Sequence, residues 1–508
     1  MDNSFYITTP IYYVNDVPHI GHAYTTCAAD VLARYYRLRG YRVLFSTGTD
    51  EHGQKIEKAA WDLGISPQEL VDKMVVRFQD LWEKMNISYD EFIRTTDPRH
   101  IKVVQDFFRL LDERGYIYLG DYEGWYCVPC ETFWPESQLD ERLACPDCGR
   151  PLEKLKEESY FFALSRFQEP LLQYLESHPD FIMPESRYRE IESFIRRGLK
   201  DQSISRVGLE WGIPVPSHPR HTLYVWFDAL INYLTAAGWG SSPDKFSTFW
   251  PSTYHLVGKD ILRFHAVLWP GMLMAASLPL PQRIFAHGWW TVEGEKMSKS
   301  RGNVVDPYLM IDRYGVDRFR YFLMREVSFG LDGDFSEKAL VERSNADLSD
   351  NFGNFVHRTL GMVWRYKKGV ARKPSPYQDE EWEKLLEEVK EGFHYHMERF
   401  AFSQALEQVW RLVHFANRYI EREAPWKLHK EGKEKELEDL LYRLLDNARL
   451  LSFFLYPFMP DTALRLRELL GLSPNLEGEN WGEALQWSLG PEVYSVREAQ
   501  PLFPRIVE

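Results

Sequence analysis

Four cysteines place the hardest constraint on how this chain can fold. Cys127 and Cys130 have two residues between them, Cys145 and Cys148 likewise, and fourteen residues separate the two pairs. The fifth cysteine, Cys27, stands alone. An odd count with four clustered members argues against a disulfide framework. Two such knuckles read instead as one tetrahedral zinc site with four thiolate ligands. The competing reading is four buried free thiols. A four-thiolate site leaves no open coordination position, so Zn2+ here is expected to be structural.

Upstream, Phe5 to Thr9 reads as a strand stopped by Pro10, and Ile11 to Pro18 as a loop. A helical pattern runs from about Gly21 to Arg39, with Gly40 as the residue that ends it. Tyr41 to Ser46 reads as a second strand. This is a mononucleotide-binding half of a parallel α/β fold. The glycine fingerprint of dinucleotide folds is absent, and the helix start carries His19-Ile20-Gly21-His22 instead. Amides and imidazoles at a helix N-terminus meet phosphate well, and Gly21 lets a ring approach the backbone. Capping and packing are the other roles open to these histidines.

A second cationic feature lies far along the chain. Lys296-Met297-Ser298-Lys299-Ser300 places two lysines in a polar loop between Gly294 and Gly302. Such a loop suits a polyphosphate whose charge grows in the transition state. The paired His19 and Lys296 motifs resemble the two signatures of class I aminoacyl-tRNA synthetases. The zinc knuckles and the aromatic stretches described below narrow the resemblance to the methionyl-tRNA synthetases, over nearly the whole chain.

That resemblance implies a reaction and a set of site residues. ATP, accompanied by Mg2+, and L-methionine would give methionyl-adenylate and pyrophosphate, and methionine would then pass to the terminal ribose of initiator and elongator methionine tRNA. Catalytic roles fall to His19, His22, Lys296 and Lys299. Gly21, Gly258 and Asp260 join them in holding ATP, with a plain structural turn as the alternative for Gly258 and Asp260. Asp50, in the turn Thr47 to Gly53, would hold the methionine ammonium, with a helix cap as its alternative. The methionine pocket maps onto Ile11, Tyr13, Val225, Trp226, Leu230, Tyr233, Phe264, His265 and Trp269. Aromatic residues at these spacings are otherwise ordinary core. A thioether gains from contact with aromatic rings, and a slot of this kind rejects near-isosteres only modestly, which makes homocysteine a competitor. His287-Gly288-Trp289-Trp290 departs from the family pattern by its two tryptophans.

Helical patterns run from Gln54 to Glu113, and again from Asn345, where apolar stripes such as Phe402, Leu406, Val409 and Val413 describe a bundle core. Lys367 to Glu380 reads as an exposed connection. Around Asn351 to Arg365, Phe352, Phe355, Val356 and Leu360 form the buried side and leave Asn354 and Arg358 on another face. These two match the family's anticodon readers, and Trp426 matches its stacking tryptophan. A surface Asn/Arg pair and a buried tryptophan are the alternatives.

The organisation expected is a Rossmann-like α/β catalytic domain with an inserted zinc module, followed by an all-α anticodon-binding domain. Residues 1–116 and 223–290 form the catalytic halves, 117–222 the connective insertion, 291–344 the stem with the lysine loop, and 345–508 the bundle. The insertion is too short for the large editing domain of the isoleucyl, valyl and leucyl relatives. A net charge of −14 argues against a generic charge-driven nucleic-acid binder but not against local RNA recognition. The apolar run Leu450 to Met459 falls far short of the ~20 residues of a membrane span. With no signal peptide at Met1 to Phe5 and no appended dimerisation domain, a cytoplasmic monomer is expected. Two rivals are a small-molecule adenylyltransferase and a non-catalytic RNA-binding protein. The first has no use for a full-sized helical domain, and the second none for intact histidine and lysine motifs.

Overall fold

The computed structural model describes residues 3–507, apart from 15–16, 129, 131, 135, 137–138, 140–142, 147, 293, 298–302, 377–378 and 480. At its centre is a six-stranded parallel sheet. From edge to edge its strands are Glu91–Arg94, Arg42–Asp50, Ser4–Tyr13, Thr253–Gly258, Arg283–His287 and Ile182–Met183. The strands alternate faces with period two. Phe5, Ile7, Phe45, Leu256 and Phe285 enter one core, and Tyr6, Leu44, Val257, Ile284 and Ala286 enter the other. The first core is shared with the helical C-terminal part, so Phe5 and Phe454 belong to one apolar cluster.

Chain order reverses between Ser4–Tyr13 and Thr253–Gly258, so the ends of these two strands open a crevice where ligands bind in such sheets. The first helix, Ile20–Leu38, leaves this edge, and Gly40 with φ +77° ends it as expected.

Four expectations about elements need correction. The first strand does not stop at Pro10. It runs to Tyr13, with a bulge between Thr8 and Ile11 that takes up the missing N–H of proline. The second strand runs on to Asp50, paired with Ile11 to Tyr13 on one side and Glu91–Arg94 on the other. Glu91–Arg94 itself interrupts what read as continuous helix. Lys367 to Glu380 is not merely a connection, because Val370–Arg372 pairs antiparallel with Val493–Ser495 and buries Ala371.

The insertion carries a four-stranded sheet ordered Thr132–Trp134, Ile117–Cys127, Glu153–Phe162, Gln202–Ser203. The helical part follows with Glu380–Met397, Phe402–Glu423, Glu434–Leu455 and Pro460–Leu469 among its helices. Among the described residues, no helix is long and apolar enough to cross a membrane.

Candidate functional site

His19 caps the first helix. Its Nδ1 accepts the Gly21 N–H at 3.1 Å, while its own N–H donates to His22 Nδ1 at 3.1 Å. The rings stack with centroids 3.8 Å apart. Burial pushes His19 down to about 4, partly opposed by Asp260, and burial with the neighbouring His19 pushes His22 well below the usual imidazole range. Both rings are therefore neutral near pH 7. Because both Nδ1 atoms accept, both protons sit on Nε2, and each ring keeps one N–H donor. Capping and ligand binding are thus compatible. A Cβ on Gly21 would lie 2.9 Å from His19 Cε1, so glycine is needed by the histidine ring itself.

Across the crevice, Gly258 ends its strand with Asp260 Oδ1 only 2.5 Å from where a Cβ would sit. Trp289 Nε1–H donates to the same oxygen at 3.0 Å, so the unusual first tryptophan orients the candidate ribose carboxylate. Lys259 Nζ sits 4.2 Å from the Trp289 ring centroid and donates to Asp332 at 2.7 and 2.8 Å. His287 locks this corner to the first helix. Its Nδ1–H donates to the Gly288 carbonyl at 2.7 Å and its Nε2 accepts the Thr25 hydroxyl at 2.7 Å.

The lysine loop leaves a small sheet in which Trp290–Val292 pairs with both Glu295–Lys296 and Gly333–Phe335. Asp334 Oδ1 accepts the Gly294 N–H at 2.9 Å and the Thr291 hydroxyl at 2.7 Å, fixing the turn at which Gly294 takes φ +75°. Met297 packs against the main core. Only the backbone of Lys296 is described, and Ser298, Lys299, Ser300 and Gly302 lie outside the described residues.

Asp50 is buried at the carboxyl end of its strand, opposite Tyr13. It does not cap the following helix, whose N-cap is Gly53. Ile11 and Tyr13 share a face of the first strand. Trp226 stacks on Phe264 at 4.0 Å and 6° and meets His265 edge-on at 6.1 Å. His265 donates Nδ1–H to the Ile261 carbonyl at 3.0 Å and accepts the Tyr233 hydroxyl on Nε2 at 2.7 Å. Burial lowers it to about 4 and keeps it neutral. Behind it, Trp269 Nε1–H donates to His255 Nε2 at 3.1 Å, and His255 Nδ1–H donates to Thr8 Oγ1 at 2.8 Å. Phe264 to Leu268 forms a π-helical turn, a distortion frequent at functional sites. Tyr13, Val225 and Trp226 share one small cluster, while Leu230, Tyr233 and Trp269 belong to the larger core beside it.

The four knuckle cysteines converge. Their sulfurs all lie within 4.8 Å of one another, with Cys127 to Cys148 at 3.6 Å and Cys130 to Cys145 at 3.9 Å. Four thiolates at about 2.3 Å from a tetrahedral ion stand about 3.8 Å apart, so this donor set fits a metal ion.

In the helical part, Arg358 and Trp426 line one surface cavity of about 370 Å³ together with His357, Met362, Arg365 and Tyr366. Asn354 is exposed one turn before Arg358. Trp426 is 41% exposed, which removes the buried-tryptophan alternative. Arg358 Nη2 donates to Glu421 at 2.5 Å.

Sequence reasoning missed His52, His100 and Asp228, three buried groups in which both imidazoles hydrogen-bond to the one carboxylate. His52 lay inside the turn Thr47 to Gly53, and Asp228 between the pocket candidates Trp226 and Leu230. His100 carried no local signal, because its partners stand more than a hundred residues away.

The family model for class I tRNA synthetases (M) matches residues 5–360, and that for the anticodon binding domain of methionyl tRNA ligase matches residues 372–502. The methionine–tRNA ligase of Caldanaerobacter subterraneus is 51% identical over all of this chain and 79% of its own length. That of Fusobacterium nucleatum is 47% identical over all of this chain and 80% of its own. The solved Mycobacterium tuberculosis methionyl-tRNA synthetase in complex with methionyl-adenylate superposes with a TM-score of 0.93 at 41% identity, covering 99% of this chain and 100% of that one. With its catalytic, knuckle and helical parts all accounted for, the chain belongs to the methionyl family of class I tRNA synthetases.

Proposed function

We propose that the crevice at the carboxyl edge of the parallel sheet activates methionine with ATP, and that the helical part selects a methionine tRNA, initiator or elongator, by its anticodon. The activity is that of an ATP-dependent ligase joining methionine to tRNA. In the first step the methionine carboxylate forms a bond to the α-phosphorus and the bond to pyrophosphate breaks. In the second, a hydroxyl of the terminal tRNA ribose attacks the carbonyl carbon and AMP leaves with the mixed anhydride's bridging oxygen. No protein nucleophile is required, so the protein contributes alignment and charge stabilisation.

His19 and His22 offer their Nε2–H donors to the phosphates, Asp260 accepts from the ribose, and Asp50 holds the ammonium. Lys296 and Lys299 close on the β- and γ-phosphates. Tyr13, Trp226, Phe264, His265 and Tyr233 surround the thioether. Cys127, Cys130, Cys145 and Cys148 would hold Zn2+, which supplies a cross-link and no chemistry. Mg2+ bound with ATP supplies neutralisation of the phosphate charge. Asn354, Arg358 and Trp426 take the anticodon bases by edge hydrogen bonds and stacking.

One observation carries this reading. The His19–His22 pair, Asp50 and the Gly258–Asp260 turn lie at or just past the ends of three neighbouring strands of one sheet, and the chain beyond that last turn carries Phe264 and His265 against Trp226. ATP–pyrophosphate exchange without tRNA, run across a panel of amino acids, tests it. Exchange dependent on methionine is expected. Exchange with a different amino acid would discard the pocket, and exchange with none would discard the reaction. A cytoplasmic monomer is the expected working form, checked in its second part by sedimentation as a single 60.0 kDa species.

A further inference from the structure

Asp228 is buried in the short helix Val225–Leu230 and is gripped from two sides. His52 Nδ1–H donates to its Oδ2 at 2.7 Å, and His100 Nε2–H donates to its Oδ1 at 2.7 Å. The other nitrogen of His100 lies 2.9 Å from Thr235 Oγ1, on the next helix, Asn232–Ala237. All four residues are buried. A carboxylate so enclosed is tolerable only when both oxygens are satisfied. None of these groups has a task in the two chemical steps.

Their value lies in what they join. His52 stands two residues after Asp50 in the loop that leaves the second strand. Glu51 between them is held by Arg94 at 2.7 and 3.0 Å, and its N–H donates to Thr95 Oγ1 at 2.9 Å. Trp211 seals the loop from outside, its indole N–H on the Glu51 carbonyl at 2.6 Å and its ring edge on His52 at 5.5 Å. On the other side, the Asp228 helix carries Val225, Trp226 and Leu230, and the Thr235 helix carries Tyr233. His100 spans the bend between these two helices.

We infer that His52, Asp228 and His100 form a clamp that sets the distance from the ammonium-binding carboxylate of Asp50 to the aromatic slot, and so matches the site to the length of methionine. The inference rests on the amino-acid site proposed above. These are positioning residues, and their loss should loosen one substrate and not the other. Misplacing a recognition group by an ångström can cost ~100-fold, so a partial loss of the clamp should raise the methionine KM by about tenfold.

The test is tRNA-free exchange on the full chain carrying Asp228→Asn, which keeps the side-chain shape but can accept from only one imidazole. The expected result is a methionine KM raised about tenfold with the ATP KM within about twofold of the parent. An unchanged methionine KM overturns the clamp, as does an equal rise for ATP, which would mean general loosening. Should Asp228→Asn fail to fold, the pair His52→Asn and His52→Ala decides. Asparagine keeps an N–H donor near the place of Nδ1 and alanine does not. The methionine KM should rise in the alanine variant alone, and equal values in the two overturn the inference. Absence of methionine-dependent exchange in the parent would instead overturn the underlying reading of the site.

Discussion

At the scale of single residues, the site separates binding from rate. Asp50 is a buried carboxylate at a strand end, suited to an ammonium present in ground and transition states alike. In the proposed reaction Lys299 would meet charge that grows toward the transition state. Asp50→Asn should therefore raise the methionine KM with a smaller effect on kcat, whereas Lys299→Ala should lower kcat about 100-fold or more with the methionine KM little changed. Rapid-quench measurement of adenylate formation distinguishes them, and equal losses in kcat and KM for Lys299→Ala would remove its assigned role. Trp426 offers an exposed face beside Arg358. A stacked base is worth about 1–3 kcal/mol, so Trp426→Ala should lower kcat/KM for tRNA about 5- to 150-fold. The same variant should exchange ATP and pyrophosphate normally without tRNA, and a normal kcat/KM for tRNA would remove Trp426 from the anticodon site.

At the scale of elements, the four cysteines hold together a region with little core of its own. Cys127, Trp134, Cys145 and Leu152 are its buried apolar members, too few to fix a fold without a cross-link. Cys145→Ser should release the metal, seen as loss of one zinc per chain by elemental analysis. It should also make residues 128–150 the first site of proteolytic cleavage while the helical part stays intact. Retained zinc with unchanged cleavage would mean that the cluster is not the metal site. The cysteine spacing, the first helix and the bundle stripes were legible because each is a local pattern of adequate length. The strand through Pro10 was not, because its bulge exists only against a neighbour thirty-odd residues on. Glu91–Arg94 and Val370–Arg372 were hidden for the same reason, being short strands made by partners remote in sequence. At the site, the His19 to His22 stretch and the lysine stretch stood out as local patterns in the sequence. Asp334, Trp211 and His100 were not, since each acts by a contact that only the fold creates.

At the scale of the whole molecule, burial sets how the protein answers acid, and one buried ion cluster joins its parts. Burial pushes His19, His265 and His394 to about 4, and lowers His22, His255 and His287 as well. The unfolded chain then binds more protons between about pH 6.5 and 4, so stability falls as pH drops through that window. Asp317, raised to about 6 by burial, acts in the opposite direction but is outnumbered. The urea midpoint should decline steadily from pH 7 to 5, and a flat profile would contradict the buried neutral histidines. The ion cluster begins with Asp30 on the helix that starts at His19. Burial alone would raise its carboxyl, yet Arg34 and Arg320 hold it at about 2. Arg320 is fully buried and donates to Asp30 at 2.7 Å, to the Pro457 and Phe458 carbonyls at 2.9 and 3.0 Å, and to the Met85 carbonyl at 3.1 Å. One guanidinium thus ties the first helix to the turn after Glu434–Leu455, in the part that carries the cavity lined by Arg358 and Trp426. Breaking a buried pair from one side costs about 3–5 kcal/mol, here nearer the lower end because Arg34 and Ser88 remain on Asp30. Arg320→Met should therefore lower the thermal midpoint by about 3 °C. Because the loss falls between the two parts, calorimetry should resolve the parent's transition into two, the helical part unfolding apart from the sheet. A single transition at the parent's midpoint would mean that the apolar core shared by Phe5 and Phe454 holds the molecule together without the ion cluster.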